Sequence, residues 1–103
     1  MVKRNISRPK WLTEHVESFF AAILKLRNKE ECRQFFRDIL SVPEVKTFAM
    51  RWRVANMLHD GITYQDIEKT TGMSSTTIAR ISRWLEYGEG GYKLLIKRTR
   101  RKK

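Results

Sequence analysis

Cysteine is almost missing from the sequence. Cys32 stands alone, which excludes an internal disulfide and any multi-cysteine metal site. Long apolar runs are missing too. The longest, Phe19-Phe20-Ala21-Ala22-Ile23-Leu24, is far short of the ~20 residues that a membrane span needs. No basic, apolar and small-residue leader stands at the amino end, so secretion is not expected. Catalytic signatures are absent as well. Gly88-Glu89-Gly90-Gly91 lacks the following Lys-Ser or Lys-Thr of a phosphate loop. No carboxylate pair, Ser-His-Asp set or Cys-His set follows from spacing, and His15 and His59 lack ligand spacing. The expectation is a cytoplasmic protein that is not an enzyme, with no catalytic residue, metal or membrane partner.

Acidic residues are scarce. The 103 residues carry 11 acidic and 22 basic side chains, a formal charge of +11. Lys3, Arg4, Arg8 and Lys10 open the chain, and Lys97, Arg98, Arg100, Arg101, Lys102 and Lys103 close it. Between Trp11 and Ile96 only 12 basic residues face the 11 acidic ones. The surplus therefore sits at the two ends, where it attracts phosphate without regard to sequence and in a salt-dependent way. The length suits one domain. The reading is a basic N-terminal tail over 1–10, one helical domain over 11–98, and a basic C-terminal tail over 99–103.

What is present reads at helical period. Leu12, Val16, Phe19, Phe20, Ile23 and Leu24 predict a first amphipathic helix. Asn28 with Glu31 predicts a cap, and Cys32, Phe35, Phe36, Ile39 and Leu40 then fall on one face. Ser41, Thr63 and Ser74 each precede a hydrophobic staple and predict three further helix starts. The helix after Ser41 is apolar nearly all round, which predicts a central position or burial between two subunits. Gly61 suits its left-handed stop. A last short helix is expected from Tyr92 to about Arg98. The fold class is all-α, with six helices and no strand signal. Trp11, Phe19, Phe20, Phe35, Phe36, Phe48 and Trp52 are expected in the core, and Cys32 is expected to pack. Arg53 is expected to pair with Glu44, Asp60 or a partner chain.

Residues 63–87 carry the functional signal. A short helix meets Gly72, and a second helix starts after Ser74. Ile67, Met73, Ile78 and Ile81 sit where two steeply crossing helices bury apolar contacts, the spacing of a helix-turn-helix. Ser75, Thr76, Ala79, Arg80 and Arg83 share the outer face of the second helix. Hydroxyl, methyl and guanidinium groups are what the major groove of double-stranded DNA recognises. Thr63 and Gln65, at the start of the first motif helix, are candidates to hold the phosphate backbone. The motif itself is neutral, with Lys69, Arg80 and Arg83 against Asp66, Glu68 and Glu86.

The chain resembles the Trp repressor family over about Val16 to Arg98. The matching residues are Ser41-Val42-Pro43-Glu44, Arg51-Trp52-Arg53-Val54, His59-Asp60-Gly61 and Ile78-Ala79-Arg80. The resemblance implies a six-helix fold and an intertwined homodimer whose two recognition helices meet successive major grooves. It implies that Arg51 and Arg80 sandwich the indole of bound L-tryptophan, with Ser41 helping to hold the amino acid; Arg51 is open between that clamp and a salt bridge with Glu44, Asp60 or a partner chain. The sequence departs from the family pattern at three places. One residue is missing between Gly61 and Thr63, Ile81 stands where the family has glycine, and Trp84 replaces a serine. Both replacements add bulk at the ligand site. Three outcomes stay open: L-tryptophan as ligand, a different small effector, or a ligand-free binder whose own Trp84 mimics the effector. The expected function is a dimeric, sequence-specific DNA-binding transcriptional repressor on a near-palindromic operator. The alternative is a helical interaction module that binds nucleic acid non-specifically through its tails.

Overall fold

The structure is a computed structural model and describes residues 8–101. Lys3, Arg4, Lys102 and Lys103 of the expected tails lie outside the described residues. Six helices and, among the described residues, no strand make up the fold. They fall into two compact units, one ending at Ile39 and the other beginning at Leu40. Among the described residues no helix is long and apolar enough to cross a membrane, and no group of His, Cys, Asp or Glu is placed to hold a metal ion.

The first unit is a pair of helices, α1 (Glu14–Ile23) and α2 (Lys29–Ile39). Thr13 caps α1 by accepting from the Val16 N–H at 3.3 Å. The Asn28 side chain caps α2, accepting from the Glu31 N–H at 2.9 Å. The Glu31 carboxylate reaches one residue further back than a standard box, to the Arg27 N–H at 2.9 Å. Phe19 meets Phe20 and Phe35, and Phe35 meets Phe36 edge-on. Neither helix contains a buried residue.

The second unit holds the core. α3 (Val42–His59) opens with a reciprocal capping box between Ser41 and Glu44. It closes at Gly61, whose φ of +80° is the left-handed conformation that glycine adopts without a Cβ clash. α4 (Tyr64–Thr71), α5 (Ser75–Tyr87) and α6 (Gly91–Thr99) follow. α5 packs against α3, α4 and α6. The buried core is Val54, Ala55, Ile67, Ile78, Ile81, Leu85 and Ile96, and α5 supplies three of the seven.

Two expectations about packing are corrected. The core is aliphatic. Of the seven aromatic residues expected there, Trp52 is half-buried against the core, none is fully buried, and Trp11, Phe20 and Phe48 are 59%, 42% and 50% exposed. Cys32 is exposed, not packed. The physical reason is common to both. Helical periodicity shows which face of a helix is apolar, but not which apolar faces find cover within one chain. α3 shows the same division along its length. Val54 and Ala55 are buried near its end, whereas Val42 and Phe48 near its start are exposed. Arg53 is exposed and joins none of the ion pairs among the described residues. The expected partner Asp60 is taken by Arg100.

Candidate nucleic-acid interface

The α4–turn–α5 segment is built by local chemistry. Thr63 caps α4 by accepting from the Asp66 N–H at 3.1 Å. Gly72 ends α4 with φ +75° and sends its N–H to the Glu68 carbonyl. Thr71 braces the turn on both sides. Its hydroxyl donates to the Ile67 carbonyl at 2.7 Å and accepts from the Met73 N–H at 3.1 Å. Ser74 then caps α5, accepting from the Thr77 N–H at 3.3 Å and donating to the Thr77 hydroxyl at 3.1 Å. Behind this turn Ile67, Ile78 and Ile81 are fully buried, so the outer face of α5 rests on a closed aliphatic layer.

That outer face is open. Ser75, Thr76, Arg80 and Arg83 are exposed and Ala79 is half-buried. At about 100° per residue the five occupy an arc of roughly 140°. Among the described residues neither Arg80 nor Arg83 joins an ion pair. Their charges face outward without a carboxylate partner. Glu86, at the far end of α5, pairs with Lys93 of α6 at 3.7 Å, which offsets one acid of an otherwise neutral motif. Thr63 and Gln65 are exposed at the α4 N-terminus, where unpaired backbone N–H groups favour an anion.

The three residues expected at a ligand have separate settings. The Ser41 hydroxyl is occupied as the α3 cap. Arg80 is exposed on α5. Arg51, half-buried on α3, lies over the Trp84 ring with its guanidinium carbon 5.6 Å from the centroid. The same carbon is 5.6 Å from the Phe48 ring. Arg51 thus meets two aromatic side chains of its own chain. The sequence reading takes Phe48 as core and Tyr92 as a helix start, and places neither near Arg51. The i, i+3 spacing of Phe48 and Arg51 could have indicated the first. Nothing local marks Tyr92, whose hydroxyl is held above the usual tyrosine range by burial while the Arg51 charge pulls the other way. Trp84 also borders a groove of about 710 Å³ lined by Trp52, Gly88, Tyr92, Leu94 and Leu95.

A tightly capped helix, a left-handed glycine turn and a second helix whose open outer face is free of acids from Ser74 to Arg83 define a helix-turn-helix protein. Comparison with known proteins places it further. Residues 14–100 match the model of the Trp repressor protein family, and the chain belongs to that family, one of DNA-binding transcription regulators. It is 39% identical over 87 residues to the uncharacterized protein YerC of Bacillus subtilis strain 168, covering 84% of both chains. It is similar to the crystal structure of a TrpR-like protein from Eubacterium eligens ATCC 27750, with a TM-score of 0.84 and 39% identity. That match covers 88% of this chain and 95% of the other. A candidate Trp repressor of Staphylococcus aureus gives a TM-score of 0.82 at 39% identity, over 87% of this chain and 90% of the other.

Proposed function

We propose that the chain is a sequence-specific repressor that reads a near-palindromic operator as a homodimer. The observation that carries this reading is the outer face of α5. Thr76, Arg80 and Arg83 stand exposed along it with no acidic side chain from Ser74 to Arg83. Arg80 and Arg83 suit bidentate contact with guanine or contact with phosphate. Ser75 and Thr76 suit base edges or phosphate, and Ala79 suits a thymine methyl. Thr63 and Gln65 hold the adjoining phosphates and fix the register.

The exposed apolar side chains support the homodimer. α1 and α2 bury nothing. Phe20, Leu24, Ile39, Val42, Phe48, Leu94 and Leu95 are all more than 40% exposed. In each unit, large apolar side chains left in water are surface that a partner can cover. A second copy covers it and presents the second α5. Two such helices about 34 Å apart meet one face of the duplex.

The test is selection of random duplex DNA on the purified chain near physiological salt, with and without L-tryptophan. The expected result is an enriched, near-palindromic site. A repressor favours its operator ~10³-fold or more over random DNA. Binding without sequence preference overturns the reading.

A further inference from the structure

The core holds α5 through Ile78, Ile81 and Leu85. Aliphatic contacts are non-directional, so they fix how deep the helix sits better than how it is rolled. The Arg51 stack adds a directional contact. Trp84 follows Arg80 by one helical turn and lies about 40° beyond it around α5, at the border of the outer face. Its indole meets an Arg51 guanidinium that also faces the Phe48 ring. Among the described residues no carboxylate is within ion-pair range of Arg51, so its charge is left for the rings. Tyr92 of α6 feels the same charge. The cation thus ties α3 to α5, and Tyr92 of α6 lines the same groove as Trp84.

Two further features hold this arrangement in place. Ile81 is fully buried in the core, so a ligand that needs its space must open the core. Gly88 sits so close to the last turn of α5 that a Cβ there would lie 2.4 Å from the Trp84 carbonyl oxygen. The backbone that carries the indole is therefore closely hemmed in.

We propose that Arg51 and Trp84 are positioning residues for DNA binding. They form an internal latch that sets the roll of α5, and the chain's own indole takes the place of a free aromatic effector. This rests on the DNA-binding reading above. The latch presents Thr76, Arg80 and Arg83 in one pose at all times, so affinity for the operator does not depend on L-tryptophan.

The experiment has two arms. The first reads the latch without DNA, as ring-current shifts of the Arg51 side-chain protons by NMR. Upfield shifts in the wild type that shrink in Trp84→Ala to the share from Phe48 are expected; shifts unchanged by Trp84→Ala overturn the latch. The second arm measures binding to the duplex site selected on the wild type. Wild-type affinity is expected to be the same with and without L-tryptophan. Trp84→Ala is expected to bind about tenfold more weakly or worse, and added indole to restore binding. Trp84→Phe, which keeps an aromatic face, is expected to stay near the wild type and guards against a folding defect in the alanine variant. Wild-type affinity that rises with L-tryptophan, or Trp84→Ala that binds like the wild type, overturns the proposal. A wild type that selects no duplex site overturns the DNA-binding reading instead, and the Arg51 shifts tell the two failures apart.

Discussion

Arg100 joins the ends of two helices. At the C-cap of α6, it donates to Asp60 Oδ1 at 2.6 Å and to Asn56 Oδ1 at 2.8 Å, across the C-terminal end of α3. One of the basic residues at the end of the chain is therefore a structural clamp. The Arg100 hydrogen bond also holds the Asp60 carboxyl below the ordinary aspartate range. A carboxyl depressed in the folded state adds stability above its unfolded pKa of ~3.9, and that stability is lost as pH falls through the folded value. Asp60→Asn is expected to lower Tm at neutral pH. The gap to the wild type closes at acid pH. Thermal denaturation of both proteins from pH 7 to pH 2 checks it.

Gly72 and Gly88 are both required as glycine, for different reasons. At Gly72 the space around a Cβ is open, but φ is +75°. Gly72→Ala is expected to cost about 1–2 kcal/mol of left-handed strain. At Gly88 φ is ordinary at −81°, but the Trp84 carbonyl oxygen stands 2.4 Å from the Cβ position. Because backbone yields less than a flexible side chain, Gly88→Ala is expected to cost about 1–3 kcal/mol and to disturb the Arg51 stack. Urea denaturation reads the first cost. The Arg51 proton shifts separate the second variant from the first.

The two faces of α5 are expected to separate stability from binding. Ile78 is fully buried, so Ile78→Ala leaves a cavity and costs about 2–5 kcal/mol, a large share of the ~5–15 kcal/mol that holds a domain folded. Thr76 is exposed. Thr76→Ala is expected to change stability by no more than about 0.5 kcal/mol while weakening binding to the selected duplex. Denaturation and a DNA titration on the same two variants provide the check.

How much of this the sequence shows depends on whether the cause is local. The caps at Ser41, Thr63 and Ser74 and the glycine turns at Gly61 and Gly72 depend on neighbours within a few residues, and each was legible. The aliphatic contacts of Ile67, Ile78 and Ile81 were legible for the same reason. The fate of the aromatic residues was not. Phe20 and Phe48 read as core because their helices are apolar on those faces, yet both are exposed. Cover for such a face comes from elsewhere, and periodicity does not carry that information. The Arg51–Trp84 contact shows a middle case. Arg51 stood between ion pair and ligand clamp, and its partner lies 33 positions away on another helix. The clamp at Arg100 was hidden altogether, because a basic terminus reads as a tail unless its partner 40 residues earlier is known.

If a second copy covers the apolar surface, Phe20 should contribute to assembly and little to the fold of one chain. Its side chain is 42% exposed. Phe20→Ser is expected to cost the isolated chain only about 1–1.5 kcal/mol, its share of partial burial. An aromatic anchor at an interface is worth about 2 kcal/mol or more, and a two-fold dimer carries it twice, so the dimer dissociation constant should rise several hundred-fold, on the order of 700-fold. Sedimentation velocity over a range of concentrations measures it. An unchanged distribution removes Phe20 from the interface.

The basic C-terminus and the reading face should differ in salt and sequence dependence. Deleting residues 97–103 would also remove the Arg100 bridge to Asp60, so loss of binding in that variant would confuse charge with structure. Charge neutralisation avoids this. Lys97→Gln with Arg98→Gln keeps Arg100 and removes two cations from the last turn of α6. If both meet phosphate, the slope of log K against log salt should fall by about 0.9 for each, with the order of preferred sites unchanged. Arg80→Ala should leave a different mark. A lost bidentate contact to guanine costs about 1–3 kcal/mol of discrimination, so one position of the selected site should relax while the salt slope stays nearly the same. A salt slope that falls with Arg80→Ala and a site preference that does not would move Arg80 from base reading to phosphate holding.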